Sequence, residues 1–426
     1  MKKTLLWILI FGYFTVKGQD TLTVMQYNLL NYGNYTSYCT HSNNSETAKN
    51  GYIATIVHYV NPDILTVNEM AASATAIQNL LDNSLNTNGV TKYSVANFIR
   101  QDLSSYLVNA LYYNHDKLGL AGHTIAQSTT RDVDVFKLYY KSSTLDQGDT
   151  VFIYCVSAHL KAGSYTSDAN ERATMAANTM NYLTTHDPNE NYMIMGDFNL
   201  YNSDEAAYQI LTTNSTLHFN DPVNQAGDWH NNSQYALYHT QSTHTTSSGC
   251  ASTGGMDDRF DFILISDNIK NNNKKVQYIP GTYHAVGQDG LHFNSALNVA
   301  PEDTAAPSNV ISALYNNSDH LPVTLKVRVD VATGIHQWSE SSFERIKYAN
   351  PVSNTARFTV QVNRKSTLQV DIYSLLGQKE MKQEFALDRG WQNFNMDVSR
   401  LPRGIYIVRF TDKNNDIQYS QKLIKQ

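Results

Sequence analysis

Cysteine is scarce in this chain, with three among 426 residues. That excludes a fold held together by a disulfide framework and leaves room for at most one bridge. Cys155 lies inside the apolar run Val151 to Val156 and reads as a small core residue. Cys39 and Cys250 occupy polar, loop-like sequence, where a disulfide between them is possible in an oxidising compartment and free thiols are equally compatible. Positive charge is also lacking: 32 Lys and Arg against 38 Asp and Glu give a net charge of −6. No global basic field exists to hold nucleic acid, so a polyanion-binding surface must be local and helped by a bound cation. Beyond the extreme N-terminus no apolar run is long enough to cross a bilayer, and no stable membrane insertion is expected.

What is present is ordinary for a chain that buries a core, with 41% hydrophobic and 16% charged residues. The length suggests two or three domains. Lys2 and Lys3 before the apolar stretch Leu5 to Val16, with the small Gly18 near Gln19, read as an export signal over residues 1–19. Strand-like and helix-like segments then alternate. Val24 to Tyr27 and Ile64 to Val67 read as buried strands. Between them Ile53, Ile56, Val57 and Val60 follow helical spacing, and Asn61-Pro62 ends that helix. A second helix is expected over Thr75 to Leu81, then strands at Tyr106–Tyr112, Val133–Tyr140 and Val151–Ser157. Ala169, Ala173, Ala176, Met180 and Leu183 line one face of a further helix, with Asp168 and Glu171 as a capping pair at its start. The strand Tyr192–Met195 and a helix near Ser203–Leu211 follow, and residues 213–256 and 270–317 read as long polar loops around the strand Phe260–Ile265. Val323 to Val329 is the last strand of this part. The mixture predicts sheets covered by helices over residues 20–330, a linker at 331–347 and a small all-β domain at 348–426.

Chemistry-bearing residues sit at the strand ends. Asn28, Glu69, His159, Asp197 with Asn199, Asp261, and Asp319 with His320 all occupy such positions. A hard divalent cation takes one or two carboxylates and keeps positions open for water and phosphate oxygens, which makes Glu69 the main expected ligand with Asn28 and Asp319 as helpers. Each residue alone has a plain structural reading. A strand-end glutamate is usually solvated, and Asp197-Phe198-Asn199 could be a simple turn. Asp261 is harder to dismiss, because a carboxylate inside an apolar strand needs a partner, and His320 is the natural one.

Their joint order resembles the endonuclease/exonuclease/phosphatase superfamily, the DNase I-like fold, over roughly residues 20 to 330. The resemblance is carried by Gln26-Tyr27-Asn28, Val67-Asn68-Glu69, Ser157-Ala158-His159, Gly196-Asp197-Phe198-Asn199, Arg259-Phe260-Asp261 and Ser318-Asp319-His320-Leu321-Pro322. It implies an α/β architecture, a four-layer α/β sandwich of two packed sheets flanked by helices, and metal-dependent phosphoesterase activity with Mg²⁺, or Mn²⁺ or Ca²⁺, as cofactor. His159 is similar to the histidine of the DNase and sphingomyelinase branches, and Arg131 resembles a phosphate-contacting arginine, although Asp132 and Val133 after it depart from that pattern. In the implied reaction Asp261 orients His320, His320 takes a proton from water, His159 donates to the phosphate or leaving oxygen, and Asn199 hydrogen-bonds the phosphate. Asp197 holds the nucleophile or Asn199, or is itself the base.

The tail resembles a type A C-terminal sorting domain of the type IX secretion system, on Tyr348-Ala349-Asn350-Pro351, Asp371-Ile372-Tyr373 through Leu376-Gly377, and Leu401-Pro402-Arg403-Gly404-Ile405-Tyr406. It implies engagement of that secretion machinery and a secreted or cell-surface destination. The expectation is therefore an exported, monomeric phosphodiesterase acting on nucleic acid. A sphingomyelinase or phospholipase C-type enzyme on the same core, or a non-catalytic surface adhesin, are the alternatives. Polar loops at 213–256 and 270–317 lean towards nucleic acid, since a lipid enzyme should present an apolar tip. If the tail is a sorting signal, intact-mass measurement of the extracellular product should find it ending near residue 345. Recovery of the full-length chain would instead favour an accessory β-domain.

Overall fold

The computed structural model describes residues 18–142, 145, 150–247, 249–331, 343–374, 378–413 and 417–426. Most of the expected signal, the centre of the expected linker, and Leu376 and Gly377 lie outside these. The described residues fall into two compact units that divide after residue 332.

The first unit holds two sheets. One runs in the order β11 (Val276–Tyr278), β13 (Val323–Val331), β1 (Gly18–Tyr32), β2 (Ile64–Ala71), β4 (Leu107–Asn114), β3 (Tyr93–Val95), with β12 (His284–Ala285) also on β13. The other runs β5 (Leu118–Gln127), β6 (Val133–Tyr140), β7 (Phe152–His159), β8 (Tyr192–Asp197), β10 (Asp261–Ser266), β9 (Phe219–Asn220). The sheets face each other through β1, β2 and β13 on one side and β7, β8 and β10 on the other. Helices α1 (Glu46–Val60), α2 (Ala74–Leu80) and α6 (Ser308–Asn317) belong to the first half, and α3 (Thr166–His186), α4 (Ala206–Thr212) and α5 (Asp267–Asn271) to the second. This is the expected layered α/β sandwich of two packed sheets with helices.

Strand alternation explains where the site forms. Along β7, β8 and β10 the residues Ile153, Cys155, Met193, Met195, Ile263 and Ile265 face the core between the sheets. Tyr154, Val156, Tyr192, Ile194, Phe262 and Leu264 face the second core, together with Met175, Met180 and Leu183 of α3. With a period of two, the inter-sheet positions continue to His159, Asp197 and Asp261 at the strand ends. The register lines them up: His159 pairs with Asp197 across parallel strands, and Asp261 pairs with Asp197 across antiparallel ones. Gly196 makes that approach possible, because a Cβ there would lie 1.7 Å from the carbonyl oxygen of Ala158.

Several elements differ from the expected ones. The α3 capping partner is Asp168 at the third position, accepting from the Tyr165 N–H, whereas Glu171 instead takes the Thr130 hydroxyl. Helix α6 lies in a stretch read as loop, though Val310, Ile311 and Leu314 are buried at helical spacing. Strand β5 was not legible because Gly119 and Gly122 dilute its strand propensity. The stretch read as a linker contains the strand Phe343–Tyr348.

The second unit is all β. β14 (Phe343–Tyr348), β15 (Thr355–Val362) and β18 (Gly390–Asp397) form one sheet, and β17 (Lys379–Leu387), β16 (Ser366–Ser374), β19 (Gly404–Asp412) and β20 (Ile417–Lys425) the other. Phe358, Val360, Val370, Ile372, Val408, Phe410 and Leu423 fill its core.

Cys39 and Cys250 are joined by a disulfide across 211 residues, and Cys155 is a buried free thiol. Under denaturing, non-reducing conditions thiol labelling should therefore modify Cys155 alone. Replacing Cys39 and Cys250 by serine should lower stability by about 2–4 kcal/mol, read by urea unfolding, because the long unfolded-state loop is no longer closed.

Candidate active site

Asp261 is fully buried, and its Oδ2 lies 2.7 Å from His320 Nδ1. Its backbone N–H donates to the Thr240 hydroxyl, which fixes the carboxylate at the end of β10. On the far side of the ring, His320 Nε2 lies 3.7 Å from Asp197 Oδ2 and 2.6 Å from Gln241 Nε2. Burial alone would depress the His320 pKa, but the Asp261 and Asp197 carboxylates outweigh it and hold the imidazole well above its usual value.

Asp197 is the hub. Its Oδ2 accepts from Asn28 Nδ2 at 3.0 Å and lies 3.5 Å from His159 Nε2, while its Oδ1 accepts the Asn199 N–H at 3.1 Å. Burial pushes the Asp197 carboxyl up to about 7; His320 opposes this, and Asp261 and Glu69 add to it. His159 is driven the other way. Burial, with Arg131 and His320 adding, holds it well below the usual imidazole range, so at neutral pH it is a neutral ring.

Asn28 Nδ2 also donates to Glu69 Oε1 at 3.2 Å, and Glu69 Oε2 accepts the Asn31 N–H at 3.0 Å. Glu69 has φ +59° and Asn199 φ +52°, left-handed conformations uncommon for residues other than glycine. The β1–β2 and β2–β4 ladders shift register around Asn28 and Glu69, and this bulging turns Glu69 inward. Asn199 Nδ2 and Arg131 Nη1 both donate to the Leu160 carbonyl, at 3.3 and 2.7 Å.

Eight of the nine expected residues are thus linked in one cluster, with Arg131 and Asn199 sharing the Leu160 carbonyl. Asp319 Oδ2 accepts from the Ser252 N–H at 2.8 Å and from Gln241 Nε2 at 3.3 Å, which connects it to the cluster through Gln241. Asn28 Oδ1 already accepts the Leu30 N–H, and it is Glu69, His159 and Asp197 that bring ligand atoms within 4.8 Å of one another. The donor chemistry fits a hard divalent cation: carboxylates dominate, and the buried Asp261 Oδ1 and Asp319 Oδ1 have no hydrogen-bond partner among the described residues.

Family membership follows from the match of the endonuclease/exonuclease/phosphatase family profile to residues 25–308. The chain belongs to this family. The secretion system C-terminal sorting domain matches residues 347–426, so the β-unit is a type IX sorting domain and the protein is one destined for export. Three solved structures are similar to this chain at low identity. A functionally unknown conserved protein from Enterococcus faecalis V583 is 14% identical, covering 72% of this chain and 99% of that one, with TM-score 0.44. An endonuclease/exonuclease/phosphatase from Beutenbergia cavernae is 12% identical, covering 95% and 100%, with TM-score 0.42. The human Nocturnin catalytic domain is 14% identical, covering 73% and 96%, with TM-score 0.44. No curated protein matches the chain. No helix among the described residues is long and apolar enough to cross a membrane.

Three supporting residues were given no role in the sequence reading. Gln241 sits in a polar loop and carries no signal of its own. Lys49 is 2% exposed, donates to Asn44 Oδ1, the Leu30 carbonyl and the Asn317 carbonyl, and so ties α1 to β1 and to the end of α6. Its position four residues before Ile53, on the apolar face of α1, was the available signal. Burial lowers its ammonium to about 7, against the pull of Asp319 and Glu69. Arg259, fully buried, makes a two-pronged pair with Asp221 at 2.9 and 2.8 Å and packs over Phe262, which anchors the start of β10. Asp221→Ala should destabilise the fold by about 3–5 kcal/mol in urea unfolding, because it strands the Arg259 charge.

Proposed function

We propose that the chain is an exported, divalent-cation-dependent phosphodiesterase that hydrolyses nucleic acid. The observation that carries this is the Asp261–His320 pair at 2.7 Å, aimed at a buried cluster of Asp197, His159, Asn28 and Glu69. In its neutral form, which a cation held by Glu69 and Asp197 would favour by offsetting the negative charge that keeps the ring protonated, His320 Nε2 would take the proton of a nucleophilic water, with Asp261 holding the ring and balancing the imidazolium that forms. His159, neutral at working pH, would donate a hydrogen bond to a phosphoryl or leaving oxygen. Asn199 and Arg131 flank the same position, the amide as hydrogen-bond donor and the guanidinium as a fixed positive charge. Glu69, with Asp197 within 4.8 Å of it, would hold the cation, which when bound would neutralise charge on the phosphoryl oxygens. Asp319 is left a supporting role through Gln241.

Asp197 is a second acceptor for the water proton, favoured by its value of about 7. The two bases give different pH–rate profiles. A base at Asp197 yields an acid limb that persists in His320→Ala but moves to higher pH, because the ring that opposes the effect of burial is gone, whereas a base at His320 yields a limb that vanishes with it.

Arg131 supplies local positive charge beside His159, as a phosphate backbone needs. One observation favours the lipid reading: Leu103 and Tyr106 are 77% and 78% exposed on the loop leading into β4, beside β2. Plasmid nicking with Mg²⁺, with and without chelator, run beside sphingomyelin hydrolysis, decides between them. Nicking that chelator abolishes supports the nuclease, and hydrolysis of sphingomyelin alone supports the alternative. His320→Ala should lower turnover by about 10²–10⁴ with the fold intact; a loss under about tenfold removes His320 from the reaction.

A further inference from the structure

The loop between β12 and α6 carries a second group of ionisable residues that shares none with the catalytic cluster. Asp289, His292 and Asp303 each bring one ligand atom within 4.8 Å of the others. His292 is 1% exposed at the side chain, with Nδ1 3.0 Å from Asp289 Oδ1 and Nε2 3.1 and 3.0 Å from the carbonyl oxygens of Val299 and Pro301. Asp303 is 5% exposed. Its Oδ1 accepts the Ala305 N–H, but its Oδ2 is buried with no hydrogen-bond partner, and Asp289 Oδ2 is in the same condition. Two buried carboxylate oxygens without donors are costly unless something positive belongs beside them.

We propose that Asp289, His292 and Asp303 form a structural site for a divalent cation of the zinc class. Two carboxylates and an imidazole, completed by a main-chain carbonyl or water, suit a four-coordinate ion that accepts both oxygen and nitrogen. A calcium ion takes oxygen ligands and would leave the imidazole unused. The ion binds the neutral imidazole, so uptake releases the proton that otherwise lets His292 bridge Asp289 and the two carbonyls. A cavity of about 290 Å³ lined by Leu297, Val299, Asp303, Ile311 and Tyr315 gives access to the Asp303 side.

The loop is connected to the catalytic strand ends. Gln288 Nε2 donates to the His239 carbonyl and the Leu297 N–H donates to the Thr243 carbonyl, on either side of Gln241. A cation here would therefore stiffen the segment that presents Gln241 to His320, without taking part in the reaction.

The test is metal content after Zn²⁺ loading and exhaustive dialysis, measured by inductively coupled plasma mass spectrometry. The chains compared are wild type, Glu69→Gln, and Asp289→Asn/Asp303→Asn, with circular dichroism as the folding control. The double variant should hold about one Zn²⁺ fewer than wild type, and Zn²⁺ should raise the Tm of wild type and of Glu69→Gln but less that of the double variant. Should the double variant fail to fold, His292→Gln replaces it with the same expected loss. Equal zinc content in wild type and a folded loop variant overturns the proposal. So does a loop that takes up Ca²⁺ and excludes Zn²⁺ in parallel titrations.

Discussion

Everything about the catalytic unit depends on burying like charges together. Asp197, Asp261 and Asp319 are each 2% exposed or less, and Glu69 opens on the same cleft. Carboxylates repel one another and lose hydration when buried, so the cluster stands only if opposite charge and hydrogen bonds answer it. The Asp261–His320 pair answers part of the charge. Asn28, with one amide nitrogen shared between Glu69 and Asp197, answers another part. What is left appears as opposed shifts of neighbouring groups: burial lifts Asp197 and lowers Lys49, both to about 7. Such a site is matched to a hard cation and an anionic substrate, because these complete an electrostatic balance that the protein leaves incomplete.

The backbone gives up regularity to build this cluster. Glu69, Asn199, Leu30 and Asn31 all adopt positive φ, and the ladders beside Asn28 and Glu69 slip. Each such residue costs on the order of 1–3 kcal/mol and persists because rigid sheets on both sides hold it. The Cys39–Cys250 bridge and the buried Arg259–Asp221 pair tie down the long polar loops that supply Thr240 and Gln241. Loop residues thereby gain the fixed positions that strand residues have by default.

The sheets and most catalytic side chains were legible in the sequence because apolar runs ending in Asn, Glu, His or Asp are local patterns. Period-two alternation carries His159, Asp197 and Asp261 to the inter-sheet face without knowledge of the fold. Features set by long-range contacts were not legible. Gln241 looks like any loop glutamine, and the contacts of Asp319 with Ser252 and Gln241 join segments far apart in the chain. Helix α6 was overlooked although Val310, Ile311 and Leu314 mark a face, because Asn, Ser and Pro around it suggest loop. The sorting domain was legible from turn and strand motifs alone.

The sorting domain marks a chain of the endonuclease/exonuclease/phosphatase family for export, and under the proposed function small phosphodiesters are hydrolysed by the same chemistry as polymeric ones. Release of p-nitrophenol from bis(p-nitrophenyl) phosphate, with Mg²⁺, Mn²⁺ or Ca²⁺ and with chelator, addresses the central claim without assuming a natural substrate. The account predicts release that requires a divalent cation and stops on chelation. No release with any of the three ions, from protein shown to be folded, would contradict it.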